Sequence, residues 1–300
     1  MYPCKAMMLT VAALLLIAGC SRKPPKPFGL DEPRTAMPSL DNSDVNQALA
    51  LLPEGLPGRC PATPGSWKAG IERRISMRST SLARTDITCV IGLAVSIGET
   101  SPIDEGFVTP MKIDGVSSAV TALQNQDEAG RLLKESLEDL SFEFFALPGG
   151  KAELRSKAVI PPEIRETLTT VLPVLPGIDA MRAGAWEFSR TGEFVLPGGS
   201  AGNESIMGTG RVAGVSSGRA VVQFDWKSKL TGSSTSDGVS GRITGGSGAG
   251  RAVCMFDASG LESCNMSESR THSVTLSANG AKPRLLEQKV SVDSTFARQP

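Results

Sequence analysis

The feature that most constrains the fold is a regular alternation of apolar and polar side chains between Asp86 and Ile97. Every second residue in this stretch is apolar from the fourth position onward, namely Cys89, Ile91, Leu93, Val95 and Ile97. Side chains on a β-strand point alternately to its two faces, so this period of two predicts a strand with one buried face. The stretch that begins at Trp67 alternates in a similar way, although Arg73 falls on its apolar parity.

Similar patterns recur along the rest of the chain. Further strands are predicted at 107–113, 141–147, 151–159, 186–196, 210–215, 219–230, 251–256, 261–269, 274–277 and 284–294. Apolar residues spaced three and four apart predict helices at 43–52, 118–140 and 162–172. The glycine- and serine-rich stretch 233–250 is predicted to form a mobile loop and a weak edge strand. These elements predict a mainly β (α+β) fold, in which curved antiparallel sheets form two related halves with a few packing helices.

An internal similarity supports the two halves. Residues 142–159 and 252–269 each show a strand, a glycine-containing turn and a second strand, and each follows longer strands that begin near Trp67 or Trp186. A β-meander pattern that recurs without duplication explains the similarity equally well. The predicted boundaries are a leader at 1–19, a proline-rich tether at 20–40, a first half at 41–177 and a second half at 178–300.

The first twenty residues carry the clearest targeting signal. An apolar run at 7–18 follows one basic residue, Lys5, and is shorter than the roughly 20 residues that cross a bilayer. The run ends in Ile17-Ala18-Gly19-Cys20. This motif resembles the lipobox of bacterial lipoproteins. The resemblance implies cleavage before Cys20, acylation of its thiol and amine, and a mature chain tethered to a membrane.

The alternative is an ordinary secretory signal with a chance cysteine. Several acyl groups on Cys20 would anchor the protein stably, because two or more acyl groups hold a protein on a membrane where a single one binds only marginally. In the lipoprotein families an aspartate after the cysteine retains the protein in the inner membrane, so Ser21 implies the outer membrane, facing the periplasm or the cell surface. Prolines interrupt residues 21–40, which predicts an extended tether that lifts the domain off the bilayer.

The charge balance excludes one broad class of partner. The chain carries 31 basic and 31 acidic side chains, so loss of Lys5 with the leader leaves one acidic side chain in excess. Such a balance provides no basic field for nucleic acid. Aromatic residues make up only 5% of the chain, which also disfavours surfaces that stack on bases or sugars.

Four cysteines remain after the leader: Cys60, Cys89, Cys254 and Cys264. A three-residue hairpin loop after Asp257 would place Cys254 directly opposite Cys264, within disulfide reach. A Cys60–Cys89 disulfide then follows by elimination, and an extracytoplasmic compartment permits both bonds. The alternatives are a zinc site and unbonded buried thiols.

One short motif suggests catalysis. Residues 214–218 match the G-x-S-x-G elbow of hydrolases, with Ser216 as nucleophile and with Asp257 and His272 following in the order of that family. That chemistry needs a sharp strand-to-helix turn, whereas 219–224 is predicted to be a strand. An ordinary hairpin turn is therefore the favoured interpretation, with His272 as a surface imidazole.

The predicted arrangement is similar to that of the open β-barrel carriers of the bacterial envelope, the LolA/LolB type, and to uncharacterised β-rich envelope lipoproteins. The first resemblance implies a half-barrel that holds acyl chains against a helical lid. We expect a membrane-tethered, non-enzymatic lipoprotein that binds or scaffolds another envelope component, with Cys20 as the link to the membrane. The alternatives are a carrier of a hydrophobic or lipid ligand and a serine hydrolase. We expect no cofactor and no metal.

Overall fold

The protein, described by a computed structural model, is defined from residue 28 to 300 apart from 54–55, 80–83, 122–125, 149–150, 196–200, 237–238 and 279–282. The predicted leader and Cys20 therefore lie outside the described residues. The described helices are α1 (Val45–Ala50), α2 (Gln126–Leu137), α3 (Pro162–Val171) and α4 (Ile178–Arg182). The described strands are β1 (Gly65–Ser79), β2 (Thr85–Ile97), β3 (Ser101–Ile103), β4 (Gly106–Thr121), β5 (Ser141–Leu147), β6 (Lys151–Arg155), β7 (Ala185–Val195), β8 (Ala201–Ser216), β9 (Arg219–Thr231), β10 (Ser233–Ser236), β11 (Val239–Asp257), β12 (Gly260–Ala278) and β13 (Arg284–Arg298).

All of these strands belong to one antiparallel sheet. Its main path runs β6-β5-β4-β2-β1-β13-β12-β11-β9-β8-β7, while β3 and β10 pair with β4 and β11 beside it. The first strand of the first predicted half, β1, pairs with the last strand of the chain, β13. The prediction of a mainly β fold with curved antiparallel strands and a few helices is confirmed, with one continuous sheet in place of several.

The sheet has two ends, which we call the upper rim and the lower end. The upper rim lies where β1 gives way to β2 and β12 to β13, near Ser79, Thr85 and Arg284. The lower end carries the β8–β9 and β11–β12 turns and the start of β1. Helix α1 packs on β8 and α4 at the lower end, so apolar residues such as Leu49 close it. None of the helices in the described part of the chain is long and apolar enough to cross a bilayer.

Glycines on the inner face and β-bulges allow the sheet to curve. Pairing register shifts in β2–β4, β8–β9 and β11–β12, and such bulges bend and twist strands. Along β11 the inner positions are Gly246, Gly248 and Gly250. Because these residues have no side chain, the indole of Trp226 lies directly over Gly250. Aromatic rings therefore fill the concave side where the glycines leave room.

We expect Gly250→Ala to lower the free energy of unfolding by about 1–3 kcal/mol, because its methyl group would overlap the Trp226 ring. Denaturant unfolding of the two proteins measures the effect. Gly245→Ala is the matched control, since a methyl group there meets open space on the same strand. Equal losses for the two variants would contradict the position of Gly250 beneath the indole.

Helix α3 lies inside the curve of the sheet. It contacts both edge strands, β6 and β7, and also β11, β12 and β13 in the centre of the path. Its side chains Ile164, Leu168 and Val171 are almost completely buried. The helix therefore fills the concave side and bridges the two edges of the sheet.

Two sequence predictions about local structure are wrong. The predicted helix at 118–140 begins only at Gln126, because Ser118 and Val120 continue β4 and pair with Ile91 and Cys89. The stretch 233–250, predicted to be a mobile loop and a weak edge strand, contains the short strand β10 and the first part of β11, and β11 pairs with β12 on one side and with β9 on the other. In both places pairing with neighbouring strands overrides the local preference of the sequence.

Candidate functional site

The three residues of the possible hydrolase triad do not come together. Ser216 pairs with Arg219 across a two-residue turn in which Ser217 and Gly218 both have positive φ angles, as a tight hairpin requires. Asp257 lies at the lower end, but His272 lies far along β12 toward the upper rim. A rise of about 3.3 Å per residue separates the two by roughly 40 Å. Ser216 therefore belongs to a hairpin turn.

His272 is buried, whereas the sequence analysis placed it on the surface. Its side chain lies on the inner face of β12, where its strand partner is Gln288 of β13. Burial, which disfavours the charged imidazolium, lowers the pKa of His272 to about 4. The imidazole is therefore neutral at physiological pH, and Ser216 lies in the β8–β9 turn at the other end of the sheet.

Two of the four cysteines after the leader form a disulfide. Cys254 and Cys264 face each other across β11 and β12 and form a disulfide. The turn between Cys254 and Cys264 has two residues, because Asp257 pairs with Gly260. A bulge between Met255 and Phe256 then adds the one-residue shift that the sequence analysis had assigned to the turn.

The predicted Cys60–Cys89 disulfide is absent, and this prediction is wrong. Cys60 is buried at the lower end, where burial raises its pKa to about 12 and the Thr109 hydroxyl lies beside it. Cys89 pairs with Arg73, in the same row across the sheet as Glu268 and therefore near the middle of the sheet. From Cys89 to Ile97, at the lower end of β2, the strand rises by roughly 25 Å. The two thiols are therefore too far apart to form a bond, because Cys60 lies at the lower end and Cys89 does not.

A cluster of buried charges occupies the middle of the concave side. Arg270 on β12 contacts the carboxylates of Glu268 on the same strand and Glu166 on α3. Its Nη2 atom also lies 3.1 Å from Oε2 of Glu204 on β8. The guanidinium of Arg270 thus joins helix α3 to strands β8 and β12. We call Glu166, Glu204, Glu268 and Arg270 the inner charge cluster.

Burial dominates the electrostatics of the inner charge cluster. Desolvation raises the pKa of Glu268 well above its ordinary value, and repulsion from Glu204 adds to the effect. Desolvation also raises the pKa of Glu204, against the nearby Ser228 hydroxyl and the charge of Arg190. Two further arginines, Arg73 and Arg190, act on Glu268 and oppose its rise. The negative charges of the three glutamates are thus countered by the positive charges of Arg73, Arg190 and Arg270.

The inner charge cluster also brings three possible metal ligands together. Carboxylate oxygens of Glu166, Glu204 and Glu268 lie within 4.8 Å of one another. Arg270, however, contacts all three carboxylates and supplies the positive charge that a cation would bring. The arrangement fits a buried ion-pair network that fixes α3 to the sheet, rather than a metal centre.

The sequence contained a signal for this cluster. On β12 the polar residues Glu268, Arg270 and His272 share the parity of the buried residues Met266 and Val274. Charged residues that occupy the same alternate positions of a strand as buried apolar residues indicate buried ion pairs, because such positions are covered in the fold. The partner on α3 could not be identified in this way, because its position depends on the fold.

The segment that follows the predicted lipid anchor is fixed to the outer face of the sheet. We call residues 28–42 the strap. Near the upper rim, the guanidinium carbon of Arg78 lies 4.0 Å from the centre of the Phe28 ring. Further along, Lys289 Nζ lies 2.6 Å from an Asp31 carboxylate oxygen, and the Thr35 amide donates to Ser267 Oγ at 2.9 Å.

At the lower end the strap joins the β8–β9 hairpin. The Asp41 amide donates to the carbonyl oxygen of Val215 at 2.8 Å, and the Asp41 carboxylate accepts from the Ser217 amide at 2.6 Å. Residues 20–40 were predicted to form an extended tether that lifts the domain off the bilayer, but the part of this segment that the structure describes is bound to the sheet. Asp31 and Thr35 bind partners on strands more than 200 residues away in sequence.

No protein-family model and no curated protein matches the chain. Among solved structures, OpdQ of Pseudomonas aeruginosa is 7% identical, with 77% of this chain and 99% of that chain covered at a TM-score of 0.20. OccK7 (OpdD) of the same organism is 7% identical, and the match covers 78% of this chain and 99% of that chain at a TM-score of 0.19. A putative AttH of Nitrosomonas europaea is 7% identical, and the match covers 75% of this chain and 92% of that chain at a TM-score of 0.12. Scores this low leave the function to be argued from the residues themselves.

Proposed function

We propose that the chain is a lipoprotein of the bacterial cell envelope, anchored through acyl chains on Cys20, whose β-domain binds or scaffolds another envelope component without catalysis. The observation that carries the proposal is the strap. It begins only eight residues after the Cys20 of the lipobox-like motif and continues along the outer face of the sheet. An anchor at Cys20 would therefore connect to a firmly attached segment of the domain. Ser21 after the cysteine favours the outer membrane.

The outer face of the sheet supports attachment through the anchor rather than through the strands. Charged pairs face outward there, with Arg74 and Asp293 at 3.1 Å and Arg251 and Asp225 at 2.7 Å. A basic side chain on a lipid-facing strand costs about 2–4 kcal/mol at the bilayer midplane. Such a surface is suited to water, so the acyl chains supply the contact with the membrane in this proposal.

The interior supports a scaffold over a lipid carrier. The carrier alternative requires a continuous apolar cavity under the helix predicted at 118–140. One cavity on the concave side has a volume of about 20 Å³, which is room for about one water molecule, and is lined in part by Arg73, Glu166 and Glu268. The side chains of Ile164, Leu168 and Val171 on α3 are almost completely buried beside it. Side chains and α3 thus occupy the space that an acyl chain would need.

We expect Cys20→Ala to abolish acylation and to release the protein from the membrane fraction, or to leave it with an uncleaved leader. The reason is that the thiol of Cys20 is the proposed acceptor of the first lipid. Metabolic labelling with a palmitate analogue, followed by fractionation of the cells, measures both effects. Cys4→Ala is the matched control, because Cys4 lies within the leader and should be dispensable. Labelling of the Cys20→Ala chain at the parental level would contradict the proposal.

A further inference from the structure

The strap determines which end of the domain lies near the anchor. Its first described residue, Phe28, lies under Arg78 and within 5.9 Å of the Arg84 guanidinium, so it is held at the upper rim. From there the strap runs away from the anchor toward the lower end, where Asp41 binds the β8–β9 hairpin. The chain that leads to Cys20 therefore leaves the domain at the upper rim.

The length of this connection limits the orientation. A chain from Cys20 to Phe28 spans at most about 28 Å when fully extended. Along β1, the distance from Arg78 at the upper rim down to Trp67 is roughly 36 Å. The lower end therefore lies beyond the reach of the anchor as long as the strap stays on the sheet.

Basic side chains lie near the upper rim, namely those of Arg78, Arg84, Lys229, Arg242 and Arg284. The exposed acidic side chains near that rim are those of Asp86, which is paired with Arg84, and of Asp127 and Glu128, while the buried Glu287 is the strand partner of Arg78. The sequence between Cys20 and Phe28 adds Arg22, Lys23 and Lys26. The lower end carries both signs of charge, with Glu99, Asp104 and Glu105 in the exposed β2–β4 connection and the basic side chains of Lys68, Arg182, Arg219 and Arg298. Basic groups near a membrane are attracted to anionic headgroups.

We infer that the upper rim is a membrane-facing surface, whose basic side chains lie over the anionic phospholipid headgroups of the leaflet that holds the anchor. The inference rests on the proposed acylation of Cys20. It leaves the lower end, closed by α1 and α4, turned away from the bilayer toward other envelope components.

The test uses the full-length lipidated chain, reconstituted in vesicles of phosphatidylcholine and phosphatidylglycerol in equal amounts. Ser240→Cys places a thiol on an exposed position near the upper rim, and Ser101→Cys is its matched control at the exposed lower end. Each variant is labelled with a fluorescent maleimide, and the parent chain with its own cysteines gives the background. A nitroxide carried on lipid headgroups then quenches probes that lie near the membrane surface.

We expect loss of most of the fluorescence at position 240 and no loss at position 101. Quenching at position 101 in place of 240, or at neither position, would overturn the inferred orientation. The intact mass of the same sample shows whether Cys20 carries its lipid. A lipidated chain with the wrong quenching pattern therefore contradicts this inference alone, whereas a chain without lipid contradicts the proposed function.

Discussion

Arg270→Ala is expected to lower the free energy of unfolding by about 3–5 kcal/mol at neutral pH. The substitution removes a cation that contacts Glu166, Glu204 and Glu268, and it leaves these carboxylates without that partner. Denaturant unfolding of the variant and of the parent chain measures the loss. A change of this size would identify the inner charge cluster as a structural link between α3 and the sheet.

The loss should depend on pH. Burial raises the folded-state pKa of Glu204 and of Glu268 above the ordinary value of 4.5, and removal of Arg270 should raise both further. A raised folded-state pKa contributes stability below the unfolded pKa, and this contribution is lost as pH rises through the folded value. The deficit of the Arg270→Ala variant should therefore shrink when the pH is lowered from 7 toward 5.

Arg251→Ala is the matched control for Arg270→Ala. Arg251 also forms an ion pair, with Asp225 at 2.7 Å, but on the partly exposed outer face of the neighbouring strand β11. Ion pairs that water can reach contribute about 1 kcal/mol or less. Equal losses in the free energy of unfolding for the two arginine variants would contradict a desolvated cluster. A loss for Arg270→Ala that does not change with pH would contradict it as well.

Leu168→Ala is expected to lower the free energy of unfolding by about 2–5 kcal/mol. Leu168 lies on the inward face of α3 with no exposed surface, between the helix and the concave side of the sheet. Truncation there removes apolar burial and leaves a cavity that the surrounding strands can close only in part. Thermal or denaturant unfolding measures the change.

Arg165→Ala provides the comparison on the same helix, because Arg165 is exposed. Exposed substitutions of this kind change stability by about 0.5 kcal/mol or less. If Leu168→Ala had as small an effect as Arg165→Ala, the claim that α3 packs against the concave side of the sheet would be contradicted. The two variants therefore test the position of the helix separately from its intrinsic stability.

The strands with clear alternation could be predicted from the sequence, because burial of one face imposes a period of two. This holds for the stretch that begins at Trp67 and for the stretch around Ile91, which form β1 and β2. The same reasoning placed Cys254 opposite Cys264, although a bulge rather than a longer turn produces the register. In these strands the alternation of apolar residues agrees with the pairing in the sheet, so the strands can be predicted from the sequence.

The elements that the sequence did not reveal depend on distant partners. Strand β11 has glycine at Gly246, Gly248 and Gly250, a composition typical of loops, and it is a strand because Trp226 and Arg270 fill the space above it. The strap has no periodic pattern, and its position depends on single contacts such as the one from Thr35 to Ser267. Neither set of contacts can be recognised before the fold is known.

The candidate sites divide in the same way. The anchor at Cys20 is a local motif and could be proposed from the leader alone, and it remains a prediction because it lies outside the described residues. The inner charge cluster requires Glu166 of α3 to meet Arg270 of β12, a contact that joins residues about one hundred positions apart. The duplication of two halves also remains a prediction.

The most direct test of the central claim is the mass of the mature protein extracted from membranes. The account predicts a chain that begins at Cys20 and carries a diacylglyceryl group on its thiol and an acyl group on its amine. Tandem mass spectrometry of the N-terminal peptide would place these groups on Cys20. A chain that retains residues 1–19, or that begins elsewhere without lipid, would contradict the account.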